Sequence, residues 1–364
     1  MNLWYKLLKI WQQTWRANSL KSFVSLVLVG TVLSVSLAAC SGTKNSNSPD
    51  KKGNVELTLV SYAVTKAAHA AIIPKFVEKW QQEHKQTVVF KQSYGGSGSQ
   101  TRAVVDGLEA DVVHLALALD TQKIEKAGLI QPGWEKKFPN DSIVTKSVAA
   151  LVTREGNPKG IKNWVDLARD DVKLITADPK TSGVARWNFL ALWNSVIKTG
   201  GDEAKATEFV TKVYKNVPVL TKDAREATDA FFKQGQGDAL INYENEIVLA
   251  QDKGEKTNYI LPDVNISIDN PVTIVDKNVD KHGNREVAEA FVKYLFTPEA
   301  QEEFAKVGFR PVNETVAKTK EFEDKYPPIK TLSTVQELGG WDIVQKKFFA
   351  EGAIFDKIQA KNKP

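Results

Sequence analysis

The alternation of apolar and polar positions along residues 54–364 predicts an α/β protein. Residues 55–62 (VELTLVSY) alternate with the two-residue period of a strand, and residues 67–84 carry apolar side chains at helical spacing. The run 111–119 (DVVHLALAL) is apolar at nearly every position, which is typical of a strand buried on both faces. Further strands are predicted over 87–90, 147–153, 172–177, 238–242 and 271–275, and further helices over 100–108, 185–197, 226–233, 245–251, 286–296 and 298–307.

The length of this stretch predicts two lobes rather than one. A single hydrophobic core usually serves up to about 250–300 residues, and residues 54–364 exceed that size. We expect one lobe to contain residues 54–145 and 256–364 and the other to contain residues 146–255, with strands joining the two.

The start of the chain has the pattern of a lipoprotein signal. Four basic residues and no acidic one precede an apolar run over 23–37, which leads through small residues into Cys40. Cys40 is the only cysteine of the chain, so it cannot form an intramolecular disulfide. The alternative is a buried free thiol. The pattern favours cleavage of residues 1–39, lipid attachment to Cys40, and a flexible polar tether over residues 40–53.

The charge of the chain depends on this leader. The full sequence has 49 Lys and Arg against 44 Asp and Glu, with a pI of about 8.9. Because the leader holds four basic residues and no acidic ones, its removal leaves 45 against 44. The remaining chain is nearly neutral and has no dense basic stripe, so we expect no nucleic-acid partner.

Several predicted helices begin in turns rich in small and polar residues. The clearest is 93–100 (SYGGSGSQ), followed by 179–188 (PKTSGVARWN), 221–226 (TKDARE) and 243–246 (YENE). Glycine lets the backbone approach a ligand, and the N–H groups at a helix start attract anions. None of these turns is a Walker A loop or a dinucleotide fingerprint. Taken singly, each is more consistent with an ordinary capped helix start than with a ligand site.

Seven segments in fixed order make the chain resemble the sulfate/thiosulfate-binding proteins of ABC importers. The segments are 60–62, 95–98, 110–120, 156–159, 181–188, 243–246 and 309–311. The resemblance covers essentially the whole of residues 54–364. It implies a two-lobed periplasmic-binding-protein fold of type II, with a mixed sheet flanked by helices in each lobe and a ligand cleft at the hinge. The function implied is capture of sulfate or thiosulfate for an importer.

The resemblance also implies a set of ligand donors. They are the backbone N–H of Ala63, the hydroxyl and N–H of Ser97, the N–H groups of Gly183, Val184 and Ala224, and the side chain of Tyr243. Tyr94, Gly98, Ser182 and Arg186 would support the site, with Arg186 bracing the anion loops from behind. Such donors suit sulfate, because each of its oxygens accepts hydrogen bonds and none donates.

Four positions depart from the family pattern. Ala63 stands where Asp is usual, Tyr94 where His is usual, Val184 where Gly is usual and Tyr243 where Trp is usual. A phenol can accept as well as donate a hydrogen bond, unlike an indole. The ligand prediction therefore stays open between sulfate and thiosulfate, with another oxyanion such as molybdate or phosphate as the alternative.

The same resemblance implies where the protein acts and with what. We expect an extracytoplasmic monomer, anchored to a membrane through lipid on Cys40, that closes over its anion by a hinge motion and docks on an ABC permease in the inner membrane. We expect no cofactor and no metal. A polyamine ligand is disfavoured because it would need convergent carboxylates and aromatic rings.

Catalysis is the competing interpretation. Ser97 lies in Gly-Ser-Gly, which resembles the turn of a serine-dependent hydrolase, but Ser99 occupies the final glycine position of Gly-x-Ser-x-Gly. The histidines are scattered: we expect His69 and His84 on the surface of the first helix and His114 in the core. The sequence therefore favours a binding protein over an enzyme.

Overall fold

Two five-stranded mixed sheets form the framework of the protein. The structure, a computed structural model, describes residues 53–362. The predicted leader, Cys40 and nearly all of the predicted tether lie outside the described residues. The strands are β1 Val55–Tyr62, β2 Val88–Gly95, β3 Val112–His114, β4 Ile143–Ser147, β5 Ala149–Thr153, β6 Leu174–Ala177, β7 Leu220–Thr221, β8 Ala239–Tyr243, β9 Tyr259–Ile260, β10 Val264–Ile266, β11 Ile268–Ile274 and β12 Thr331–Ser333.

Helices cover these sheets. The α-helices are α1 Lys66–His84, α2 Ser97–Val105, α3 Ala118–Lys126, α4 Gly183–Ile197, α5 Glu203–Lys215, α6 Ala224–Phe232, α7 Glu244–Asp252, α8 Asp276–His282, α9 Arg285–Tyr294, α10 Pro298–Lys306, α11 Glu314–Ala317, α12 Lys320–Lys325, α13 Trp341–Val344 and α14 Ile354–Asn362. A 3-10 turn over Ala63–Thr65 joins β1 to α1. None of the described helices is both long and apolar enough to cross a membrane.

The first sheet has the strand order β2-β1-β3-β11-β4. β1 runs parallel to β2 and β3, and β11 runs antiparallel to β3 and β4. The second sheet has the order β7-β6-β8-β5-β9, with β6 parallel to β7 and β8 and with β5 antiparallel to β8 and β9. Each sheet is thus mixed and flanked by helices, as predicted, and helices that follow parallel strands begin at the same edge of their sheet.

The chain passes from the first sheet to the second at Val148. β4 ends at Ser147 and β5 begins at Ala149, so the strand predicted over 147–153 corresponds to β5, which begins two residues later than predicted, and β4 was not predicted. The backbone of Ala149 is instead held by the side chain of Asn265, which accepts from its N–H at 3.1 Å and donates to its carbonyl at 2.8 Å. The chain returns to the first sheet between β9 and β11.

Two further predictions differ from the structure. Only Val112–His114 of the run 111–119 is strand, and α3 already begins at Ala118. The run is apolar because strand, connection and helix start are all buried, so its periodicity could not separate them. α2 begins at Ser97, three residues before the predicted start, because the helix already starts within the segment rich in glycine and serine.

Candidate ligand-binding site

Three helices begin at one place where the two sheets face each other. α2 follows β2 of the first sheet, and α4 packs against β5, β6 and β8 of the second. The N–H of Gly98 donates to the carbonyl of Thr181 at 3.1 Å. An ideal Cβ on Gly183 would lie 2.4 Å from Cβ of Ala116, closer than carbon atoms can approach, and 3.3 Å from Cβ of Ser97, a tight contact. The starts of α2 and α4 are therefore in direct contact.

The other predicted positions join the same cluster. α6, which begins at Ala224, contacts the 3-10 turn that begins at Ala63. Tyr243 ends β8 at the start of α7, and its ring centroid lies 6.1 Å from that of Tyr62 at the end of β1. The structure thus brings together the predicted donors from both sheets. The first N–H groups of each helix lack an intrahelical acceptor, and they carry the positive end of the helix dipole.

The phenol of Tyr243 is buried and makes no hydrogen bond within the described part of the chain. Burial, reinforced by Tyr62 and by the charges of Asp120 and Glu246, raises the pKa of Tyr243 well above its ordinary value. The hydroxyl therefore keeps its proton at neutral pH and can donate it. A buried hydroxyl without a partner costs about 1–3 kcal/mol, and a hydrogen-bonded ligand would remove that cost.

The hydroxyl of Ser97 has a different environment from the one we expected. It donates to Oδ2 of Asp120 at 2.8 Å and accepts from the N–H of Ala116 at 3.0 Å. A hydroxyl has one proton, so in this arrangement Ser97 can offer a ligand only its backbone N–H. Ser182, at the start of α4, is also buried, and its hydroxyl makes no capping hydrogen bond to the helix it precedes.

Asp120 links the two halves of the site, and the sequence interpretation did not identify it. Its carboxylate accepts from Nη1 of Arg186 at 3.1 Å and from Lys123 at 3.2 Å, in addition to Ser97. Burial opposes its ionisation, but the charges of Arg186 and Lys123 and the Ser97 hydrogen bond hold the pKa of Asp120 below its ordinary value. It lies in the first turn of α3, a helix that the sequence did not predict.

Arg186 lies behind the helix starts. Its Nε donates to the carbonyl of Pro179 at 2.9 Å, and its guanidinium is almost fully buried against Asp120. Through these contacts Arg186 holds the turn before α4 in place, as predicted from the resemblance. Next to it, the indole N–H of Trp187 donates to the carbonyl of Ala116 at 2.9 Å, which adds a further bond between α4 and the first sheet.

Tyr94 contacts a buried pair of histidines. Its hydroxyl donates to Oε1 of Gln92 at 2.8 Å and lies 3.1 Å from Nδ1 of His69. His69 in turn lies 3.2 Å from Nδ1 of His114, and both rings are fully buried. The prediction of His114 in the core is confirmed, but the prediction of His69 at the surface is wrong. Burial lowers the pKa of His69 to about 3, so this ring is neutral.

The two glutamates after Tyr243 are paired with arginines. Glu244 accepts from Nε and Nη2 of Arg310 at 2.7 and 3.0 Å, and Glu246 accepts from Nε and Nη2 of Arg225 at 2.8 and 2.7 Å. No side chain caps the N-terminus of α7, so these carboxylates are held by the arginines rather than by helix N–H groups. With both carboxylates and Asp120 occupied by cations, the ligand groups left at the cluster are neutral donors.

The chain matches a known family over most of its length. The model of the bacterial extracellular solute-binding proteins matches residues 57–310. The chain belongs to this family. The predicted extracytoplasmic, solute-binding role is therefore confirmed. The family has a role in transport, which favours a binding protein over the serine-dependent hydrolase considered as the alternative. Among the described residues, no cluster of side chains has the composition of a metal site.

Relatives of this solute-binding protein cover nearly all of it. It is 58% identical over 340 residues to the sulfate-binding protein of Synechococcus elongatus, which covers 93% of this chain and 96% of that protein. It is 39% identical over 307 residues to the thiosulfate-binding protein of Pseudomonas aeruginosa, covering 83% and 92%. The solved sulfate-binding protein SubI from Mycobacterium tuberculosis H37Rv is 35% identical with a TM-score of 0.74, covering 81% of this chain and all of that one. The predicted family and two-lobed fold are confirmed.

Proposed function

We propose that this solute-binding protein captures sulfate or thiosulfate in the cleft between its sheets and delivers it to an ABC importer. The observation that carries the proposal is the buried, unpartnered phenol of Tyr243 beside the converging starts of α2, α4 and α6. Sulfate- and thiosulfate-binding proteins among the relatives support the same ligand class.

The donors we assign to the anion are neutral. They are the N–H groups of Ala63, Ser97, Gly183, Val184 and Ala224 and the hydroxyls of Ser182 and Tyr243. Ser182 takes the place of the Ser97 hydroxyl, which Asp120 occupies. Hydrogen bonds to a charged group contribute about 1.5–3 kcal/mol each. Several of them exceed the roughly 8 kcal/mol of micromolar binding, which leaves a margin for the costs of association.

A donor-only site discriminates by protonation state. Sulfate is fully ionised at neutral pH, so all its oxygens accept. Hydrogen phosphate carries a proton that needs an acceptor, and the nearby carboxylate of Asp120 is committed to Arg186, Lys123 and Ser97. An unpaired buried donor costs about 1–3 kcal/mol. We therefore place sulfate and thiosulfate ahead of phosphate.

We further propose that the mature protein is a lipid-anchored monomer whose two lobes close over the ligand. Lipid on Cys40 anchors a monomer through the tether 40–53, and lobes of residues 54–145 with 256–364 and of residues 146–255 close about the crossings between the sheets. The closed, ligand-bound form then docks on the permease. Mass spectrometry of protein from membranes tests the anchor, because Cys40→Ser should abolish both the lipid mass and the membrane fraction.

Calorimetric titration of the chain without its leader tests the ligand. Sulfate, thiosulfate, molybdate and hydrogen phosphate are compared at pH 6 and pH 8. We expect sulfate or thiosulfate to bind tightest with little dependence on pH, because every assigned donor keeps its proton over this range. A clear preference for molybdate or phosphate would overturn the ligand assignment and leave the solute-binding role in place.

A further inference from the structure

A second phenol lies at the site and has no assigned role. Tyr62 ends β1 and directly precedes Ala63. Its ring is almost fully buried, and its hydroxyl makes no hydrogen bond within residues 53–362. The ring meets His114 edge-on with centroids 5.5 Å apart and meets Tyr243 at 6.1 Å. Tyr62 therefore lines the place where the two sheets face each other.

One polar neighbour of this hydroxyl is Thr145 of β4, which partly offsets the effect of burial on the phenol. The Thr145 hydroxyl donates to Oδ1 of Asn270 at 3.1 Å, and it makes no hydrogen bond of normal geometry with Tyr62. Burial is the main cause that raises the pKa of Tyr62 above its ordinary value, so the phenol stays protonated. Buried polar groups in native proteins nearly always have a partner, and the missing partner here requires an explanation.

Other unpartnered phenols show why Tyr62 is distinct. The hydroxyls of Tyr214 and Tyr294 are also buried without a hydrogen bond. Their rings pack among phenylalanines: Tyr214 lies 5.5 Å from Phe355, and Tyr294 lies 5.6 Å from Phe76. Tyr62 alone of the three packs against a proposed ligand donor and adjoins a helix start in the cluster.

We propose that the Tyr62 hydroxyl is a further hydrogen-bond donor to the bound oxyanion. Tyr62 from the first sheet and Tyr243 from the second would then face the ligand as a pair of phenols, so that closure of the lobes brings both onto one anion. The proposal rests on the proposed function. It means that the Tyr62 hydroxyl contributes to ligand affinity and not to the stability of the ligand-free protein.

The test compares Tyr62→Phe with wild type and with Tyr214→Phe, a matched loss of one unpartnered buried hydroxyl outside the site. Sulfate and thiosulfate affinities are measured by calorimetry. Melting temperatures are measured without ligand and with about 10 mM of each anion, a concentration far above a micromolar dissociation constant. We expect Tyr62→Phe to bind about tenfold or more weakly and to melt no lower than wild type without ligand. Tyr214→Phe should keep wild-type affinity.

The outcomes separate the two proposals. If wild type binds neither anion, the proposed function fails. If wild type binds and Tyr62→Phe binds equally well, the proposed function stands and the role of Tyr62 is overturned. A weaker affinity accompanied by a lower melting temperature without ligand would also overturn it, because the hydroxyl would then stabilise the fold rather than the complex. The double variant with Tyr243→Phe should lose more affinity than either single variant.

Discussion

Replacing Gly183 with alanine should block closure of the cleft. The added Cβ would lie 2.4 Å from Cβ of Ala116 and 2.8 Å from Cδ2 of Leu117, both on the first-sheet side, while Gly183 starts a helix of the second sheet. Two carbon atoms in contact need about 3.5–4.0 Å, so the surfaces must separate by about 1 Å or more. Overpacking of this kind typically costs about 1–3 kcal/mol.

This cost should appear in ligand binding rather than in folding. An open form separates the two surfaces and avoids the clash, so the ligand-free protein should melt near the wild-type temperature. The affinity for sulfate or thiosulfate, measured by calorimetry, should fall by about 5- to 150-fold. Gly201→Ala is the matched control, because its Cβ would lie 2.5 Å from Cγ1 of Val196 within one helix end.

The control separates a steric effect on closure from a general loss of packing. Gly201→Ala should lower the melting temperature and leave affinity unchanged. Equal affinity of Gly183→Ala and wild type would refute the reasoning, since it would mean that the contact between Gly183 and Ala116 is not part of the liganded state.

Three further predictions concern buried polar groups. Tyr243→Phe should weaken sulfate binding about tenfold or more, and unchanged affinity in calorimetry would remove Tyr243 from the donors. Asp120→Ala leaves Arg186 without its buried counter-ion, so urea unfolding should show a loss of about 3–5 kcal/mol; a loss below 1 kcal/mol would contradict this. Burial lowers the pKa of His69 to about 3 from 6.5, and the unfolded chain therefore binds a proton that the folded protein excludes. Stability should fall as the pH decreases from about 6.5 towards 3, with about 2 kcal/mol lost by pH 5. His69→Gln should flatten this decrease relative to His84→Gln, and equal slopes would argue against it.

The period of apolar residues predicted the elements whose burial is one-sided. α1 begins within one residue of the predicted start and ends at the predicted residue, because it turns one face to the core and the other to solvent. β1 has the predicted ends although its second half is buried on both faces, because its sequence still alternates apolar and polar residues. The run 111–119 is buried at every position except the half-buried Ala118, and the pattern could not show where strand gives way to helix. The amphipathic helix Glu203–Lys215 had a readable period but was not predicted.

The approximate positions of the helix starts of the site were predictable, though not their first residues, because small and polar residues mark them locally. Asp120, Tyr62 and the partners of Glu244 and Glu246 were not, because their roles depend on residues more than 20 positions away or in the other sheet. Burial of His69 likewise follows from its contact with His114, 45 residues along the chain. Long-range pairing of polar groups leaves no period in a single sequence.

The bond from the Trp187 indole to the Ala116 carbonyl gives the protein an intrinsic optical reporter. The indole is fully buried when this bond is made. Any opening that separates α4 from the first sheet would expose the N–H to water, and indole emission shifts to longer wavelength in a polar, mobile environment. Ligand exchange could therefore be followed by stopped-flow fluorescence without a label, and Trp187→Phe would identify how much of the signal comes from this residue among the six tryptophans that follow the leader.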